Sequence, residues 1–311
     1  MYYTTSILTS KDGESFCYYK WLVNPKVPFK GVVQIAHGLG EHAGRYDDMA
    51  HLLQDEGFEV YANDHRAHGK TAEIKRLFGY YDGSAYFEDC VDDMHILSEL
   101  MRDEHPKAKF VLFGHSMGSL LSRKYVTKYG EELDALILSG TASFIKGLGN
   151  IGLVTATAVT TFRGKARPNE LLKSFFFGEF NKKFKPNRTK LDWISSDERQ
   201  VDLFAKDPYR IEDFSLGVFL DVIKSSKKLN KPEAFKATPR DLPILIFSGD
   251  KDPVGEMGKG VTRVAEQYKK RGMRDLTFNL YSGGRHEMLN ETNGEAVKKD
   301  ILVWLNTRIK L

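Results

Sequence analysis

The stretch Val111-Leu112-Phe113-Gly114-His115-Ser116-Met117-Gly118-Ser119 decides how the rest of the chain is read. A short apolar run ends in Gly114-x-Ser116-x-Gly118, and a helix-like stretch follows through Leu120, Leu121 and Tyr125. Strand, sharp turn, helix is the context in which G-x-S-x-G forms a nucleophile elbow and lifts a serine hydroxyl above the end of a sheet. Such a turn puts the serine in a strained backbone conformation. Side chains two positions away on either side would collide, so both positions are Gly. The free N–H groups at the start of the following helix face the same spot. The pentapeptide alone is equally compatible with an idle serine in a glycine-rich turn, and the rest of the chain must supply its partners.

The flanking sequence alternates strand and helix. Strands are predicted over 16–23, 31–36, 58–62, 110–113 and 133–138, and helices over 46–56 (Met49, Leu52, Leu53) and 86–104 (Val91, Met94, Leu97, Leu100). A polar turn is expected over 63–69. Toward the end come a strand at 243–248, a helix at 255–271, a strand at 276–281 and a closing helix at 297–309. Apolar strands alternating with helices predict an α/β fold, with a mostly parallel central sheet covered by helices on both faces. Residues 141–215 break the rhythm. They show no clear strand, many small residues and the aromatics Phe175, Phe176, Phe177, Phe180, Phe184 and Trp193, and are expected to form a mainly helical insertion between core segments 1–140 and 216–311.

The totals exclude several classes. The 311 residues carry a net charge of +4 with no long block of one sign, so nucleic acid is not an expected partner. The tightest basic cluster, Lys182, Lys183, Lys185, Arg188 and Lys190, reads as a solvated face. Cys17 and Cys90 make neither a disulfide framework nor a metal site. The start lacks a basic region followed by an apolar one, and the longest apolar stretch, 151–162, is too short to span a bilayer, so a soluble cytoplasmic protein is expected.

A serine hydroxyl is a poor nucleophile at neutral pH. It needs a base within hydrogen-bond reach, and the base needs an orienting carboxylate. In the fold that carries the elbow, the chain order is Ser, acid, His. Of nine histidines only His286 follows Ser116, and it lies in the glycine-rich loop after the 276–281 strand. Asp250 and Asp252 both follow the 243–248 strand. Asp252 is favoured because it lies deeper in the loop, whereas Asp250 suits holding the turn through its own side chain. The oxyanion needs two donors, expected from the backbone N–H of Met117 and that of Leu39 in the loop His37-Gly38-Leu39-Gly40.

His37-Gly38-Leu39-Gly40-Glu41-His42-Ala43-Gly44-Arg45-Tyr46 resembles the H-G-x-G-E-H-x-G-R-Y signature of the monoglyceride lipase and lysophospholipase group of α/β-hydrolases, which overlaps the serine aminopeptidase S33 class. Asp64-His65-Arg66-Ala67-His68-Gly69 resembles the group's D-H-R-G-H-G turn, with Ala67 where the group usually has Gly. Gly249 to Asp252 and Arg285-His286-Glu287 resemble its acid and histidine loops. The resemblance implies an α/β-hydrolase whose nucleophile, acid and base are Ser116, Asp252 and His286, with Leu39 and Met117 as oxyanion donors and residues 141–215 as a substrate-selecting cap. It implies hydrolysis of carboxylic esters of the monoacylglycerol, lysophospholipid or medium-chain acyl type, with no cofactor and no metal. The implied partner is a small acyl ester, with transient membrane-surface contact through the cap. An amidase on the same residues would need an acid in the cap to grip an amine, from among Glu170, Glu179, Asp192, Asp197 and Glu198. A non-catalytic binder reusing the fold is the remaining alternative.

Two patterns compete with this reading. Gly38-x-Gly40-x-x-Ala43 followed by Asp64 imitates a dinucleotide fingerprint, and His286-Glu287 begins like a zinc motif but lacks the second His. The polar set Glu41, His42, Arg45, Asp64, His65, Arg66 and His68 is expected to pair internally and fix two loops.

Overall fold

The computed structural model describes residues 3–81, 83, 85–143, 157 and 180–310. Among them β1 (Thr4–Thr9), β2 (Ser15–Trp21), β3 (Gly31–Ala36), β4 (Phe58–Asn63), β5 (Lys109–His115), β6 (Ala135–Ser139), β7 (Ile244–Gly249) and β8 (Leu276–Tyr281) form one sheet. Its order is β1-β2-β4-β3-β5-β6-β7-β8. The β1–β2 and β2–β4 pairs are antiparallel, and every other neighbouring pair is parallel. The helices are α1 (Asp47–Asp55), α2 (Gly69–Lys75), α3 (Tyr86–Glu104), α4 (Met117–Tyr129), α5 (Glu198–Ala205), α6 (Leu216–Leu229), α7 (Pro232–Lys236), α8 (Lys259–Lys270) and α9 (Gly294–Arg308).

The central strands are apolar on both faces because both faces are covered. Val32, Leu112, Leu136 and Ile244 pack on one side with residues of α3, α4 and α8. Their chain neighbours Val33, Val111, Ile137 and Leu245 pack on the other side with α1 and α9. Each such side chain, fully buried, contributes roughly 1.5–3 kcal/mol to folding. The register aligns Ala36 with Gly114, His115 with Ser139 and Gly249 with Tyr281, so the loops after β3, β5, β7 and β8 leave from one edge. That edge, the carboxyl ends of the strands, is where α/β sheets bind ligands.

Four elements escaped the sequence reading, the short helix α7 among them. β1 is exposed along nearly its whole length and carries no alternation. α2 begins at Gly69, where only a polar turn was expected. α6 follows directly on residue 215 and buries Leu216, Val218, Phe219, Leu220 and Ile223. The part of 141–215 that is described contains a 3-10 turn (Asn181–Phe184) and α5. The aromatics Phe175, Phe176 and Phe177, the acids Glu170 and Glu179, and the run 151–162 apart from Thr157 lie outside the described residues. Among the described residues no helix is long and apolar enough to cross a membrane.

Candidate active site

The turn between β5 and α4 has the strain that the glycine pattern implied. Ser116 sits at φ 52°, ψ −118°, at the start of α4. A Cβ on Gly118 would lie 2.0 Å from the carbonyl oxygen of Ala36, and one on Gly114 would lie 2.4 Å from that of Gly118. Neither backbone oxygen can withdraw, because each belongs to the framework holding the turn. The strain is maintained because the Ser116 N–H donates to the Ser139 carbonyl at 2.9 Å, tying the turn to β6.

Three loops meet above this serine. Nε2 of His286, after β8, lies 2.9 Å from Ser116 Oγ. Its Nδ1 lies 3.0 Å from Asp252 Oδ2, after β7. The same carboxylate accepts from the Ser248 hydroxyl at 3.0 Å and, through Oδ1, from the Val254 N–H at 2.9 Å. Asp252 is fully buried and His286 is 4% exposed. Burial pushes the His286 imidazole down, but the Asp252 carboxylate, with Glu287 and Glu41 behind it, outweighs this and the net shift is upward. His115, whose ring centroid lies 4.8 Å from that of His286, is pushed down to about 4 by burial and by His286. It stays neutral beside the His286 imidazole. Asp250 is used elsewhere: its Oδ1 accepts from the Gly283 N–H at 2.8 Å and pins the loop that carries His286.

The His37–Gly40 loop lies against the serine, since a Cβ on Gly38 would be 3.2 Å from the Ser116 Cβ. Among the described residues no acceptor takes the N–H of Leu39 or of Met117. Arg45 joins this loop to the histidine loop. Its Nη1 donates to Glu41 at 2.7 Å, and its two terminal nitrogens grip Glu287 at 2.9 and 2.8 Å. Glu41 in turn accepts from the Gly38 N–H at 2.5 Å and the Tyr46 hydroxyl at 2.9 Å. Burial opposes ionisation of Glu287, but Arg45 holds its carboxyl well below the usual range.

The expected polar set is thus engaged, although not wholly with itself. His42 pairs with Asp207 at 3.0 Å, and Arg66 turns away to Asp93 at 2.8 Å and to Asp12. Asp64 accepts the N–H groups of Ala43 and Lys70, both at 2.7 Å. Ala67 keeps the turn at φ 67°, a left-handed conformation that a glycine would adopt without steric cost. The dinucleotide reading fails on charge, because the Glu41 carboxylate occupies the Gly38 N–H that a pyrophosphate would need.

A cavity of about 670 Å³ opens over Ser116 and His286. Leu39, Met117 and Leu120 line it from the core, Phe180, Trp193 and Phe204 from the 180–205 stretch, and Phe214, Phe219, Val222 and Ile223 from α6 and its approach. The Trp193 ring lies 5.3 Å from that of His286. The α6 residues were not singled out from sequence, although the apolar positions of Leu216-Gly217-Val218-Phe219-Leu220-Asp221-Val222-Ile223 carried a readable helical signal. Of the acids considered for an amine grip, the three among the described residues do local work instead. Asp192 holds the Arg188 and Thr189 N–H groups, Asp197 caps α5, and Glu198 lies 3.6 Å from Arg188.

Residues 28–293 match the family described as serine aminopeptidase, S33. A monoacylglycerol lipase of Mycolicibacterium smegmatis is 29% identical over 94% of this chain and 93% of its own length. A monoglyceride lipase of Mus musculus is 27% identical over 97% of this chain and 90% of its own. Among solved structures, a highly thermostable carboxyl esterase from Bacillus coagulans, in complex with glycerol, has a TM-score of 0.92 at 28% identity and covers 100% of both chains. The chain belongs to the serine aminopeptidase, S33, family and is an α/β-hydrolase of the monoglyceride lipase group.

Proposed function

We propose that the protein is a serine hydrolase that cleaves carboxylic esters with an apolar acyl chain, of the monoacylglycerol, lysophospholipid or medium-chain type. The observation that carries this reading is the hydrogen-bonded chain Ser116–His286–Asp252 at the floor of a largely apolar cavity. The family relationship and the esterase likeness support it.

Ser116 Oγ attacks the acyl carbonyl while His286 Nε2 takes its proton. The N–H groups of Leu39 and Met117 receive the oxyanion, each worth about 10²–10³ in rate in comparable sites. The tetrahedral adduct collapses, the C–O bond to the alcohol breaks, and His286 gives its proton to the leaving oxygen. Water then repeats the cycle on the acyl-enzyme and frees the acid. Asp252 orients the imidazole and stabilises its protonated form without taking the proton itself. Residues 141–215 act as the cap. The described part of that segment contributes Phe180, Leu191, Trp193, Ile194 and Phe204 to the cavity wall, which supports that role.

An aminopeptidase would need a carboxylate facing the cavity to hold a free amine. The acids that line it, Glu41, Glu287 and Glu212, lie against Arg45 and Arg210, which favours the ester. A series of p-nitrophenyl esters from acetyl to palmitoyl, run beside the matched anilides, tests the reading. Esters should show a burst of p-nitrophenol, and Ser116→Ala should lower kcat by about 10⁶-fold. Absence of both a burst and fluorophosphonate labelling in the wild-type protein would refute it.

A further inference from the structure

The two peptide groups that flank Leu39 are each held by a buried imidazole. The Gly38 carbonyl lies 2.8 Å from His37 Nδ1, and the Gly40 N–H donates to His68 Nε2 at 3.1 Å. The other nitrogen of each ring is also used. His37 Nε2 accepts the His65 N–H at 3.0 Å, and His68 Nδ1 lies 2.9 Å from the Arg66 carbonyl, with the Tyr86 hydroxyl at 3.4 Å. A backbone N–H only donates and a carbonyl only accepts. These partners fix both rings as neutral, with the proton on Nδ1 and a bare Nε2. Both histidines have 0% exposure, and burial favours the same neutral form.

The orientation of the loop follows. In a trans peptide the C=O and N–H point to opposite sides of the chain. The peptide whose carbonyl faces His37 is the one whose N–H belongs to Leu39. Engaging that carbonyl turns the Leu39 N–H the other way, and Gly38 and Leu39 line the cavity beside Ser116. The Gly40 N–H on His68 fixes the next peptide, so Leu39 cannot pivot between them. The two rings come from different loops, after β3 and after β4, and their centroids are 5.2 Å apart.

We propose that His37 and His68, as Nδ1-protonated neutral rings, are positioning residues that aim the Leu39 N–H at the oxyanion forming on the Ser116 adduct. This deepens the ester-hydrolase reading and rests on it. It assigns work to two histidines that the triad leaves unused.

The test has a spectroscopic and a kinetic arm, both on the full chain. In ¹⁵N-labelled protein the His37 and His68 signals, identified by their loss in His37→Asn and His68→Gln, should show a protonated Nδ1 and a bare Nε2. An Nε2-protonated tautomer at either position overturns the proposal. In the kinetic arm, His37→Leu and His68→Met should lower kcat for a p-nitrophenyl ester about ten- to hundredfold with KM unchanged, a fraction of the full donor effect. His37→Asn keeps a donor at the Nδ1 position and His68→Gln an acceptor near Nε2, so both should recover most of kcat. Apolar variants that keep full kcat, or amide variants no better than the apolar ones, overturn it. Should the apolar variants fail to fold, the tautomer measurement decides. A wild-type protein that hydrolyses no ester refutes the functional reading instead, whatever the tautomers.

Discussion

Asp250 and Asp252 lie two residues apart on one loop, and a sequence can only rank them. The geometry separates their work: one carboxylate faces His286 at 3.0 Å, the other holds the Gly283 N–H at 2.8 Å. Asp252→Asn should lower kcat by about 10³–10⁴-fold, as loss of the orienting carboxylate does in comparable triads. It should also move the acid limb of kcat/KM to lower pH. The wild-type limb should lie above the ordinary imidazole value of 6.5, because His286, as the proposed base, must be neutral to act and its net shift is upward. Removing the carboxylate removes the main upward influence and leaves burial, which acts downward. Asp250→Asn should cost about tenfold or less, through loosening of the histidine loop alone, and should leave the limb in place. A reversed order of the two variants in a pH–rate series would exchange their roles. At this scale the sequence pointed to neighbours in space, since Ser116 and His286 each follow from a motif and its position after a strand and lie 2.9 Å apart. What it could not show was Ser248, whose hydroxyl supports Asp252 from an otherwise ordinary strand.

Among the elements, the loops after β3 and β8 have no shared hydrogen-bond ladder, yet one guanidinium holds them together. Arg45, largely but not wholly buried, sits between Glu41 and Glu287 and stacks over Phe204 of α5 at 4.3 Å. Such a group stabilises little relative to an apolar replacement of the whole cluster, but removing one member leaves charge stranded in low dielectric. Arg45→Met strands two carboxylates and should cost about 3–5 kcal/mol, read from the denaturant midpoint. The sign with pH follows from Glu287. Its folded value is depressed to about 2, so the stabilisation is present above its unfolded value near 4.5 and is lost as pH falls toward the folded one. In Arg45→Met the stability deficit should therefore narrow in acid; a deficit independent of pH would mean that the cost is lost packing on Phe204. The sequence announced a dense polar set but not its wiring, because Arg45 and Glu287 are 242 positions apart. Strands β3 to β7 were legible for the opposite reason: burial on both faces writes them as largely apolar runs, whereas exposed β1 left no such mark.

Across the whole molecule the sheet edge carries Ser116, Asp252 and His286, and the segments above it enclose the cavity. The cavity of about 670 Å³ draws its walls from residues scattered between 38 and 287, so no local pattern could have outlined it. One wall was within reach. α6 presents Phe219, Val222 and Ile223 to the cavity, and it lies beyond the insertion, in the part expected to be core. If α6 forms the side of the acyl site, bulk added there should discriminate by chain length. Each methylene buried contributes about 0.8 kcal/mol, roughly a fourfold factor in kcat/KM. Ile223→Trp, if it displaces three methylenes, should lower kcat/KM for palmitoyl and lauroyl esters by about 60-fold on that basis. Acetyl and butyryl esters, which do not reach the wall, should change by about twofold or less. A loss that is uniform across the series would point to a displaced catalytic loop rather than a shortened pocket, and unchanged long-chain rates would move the acyl site to the wall formed by Phe180 and Trp193.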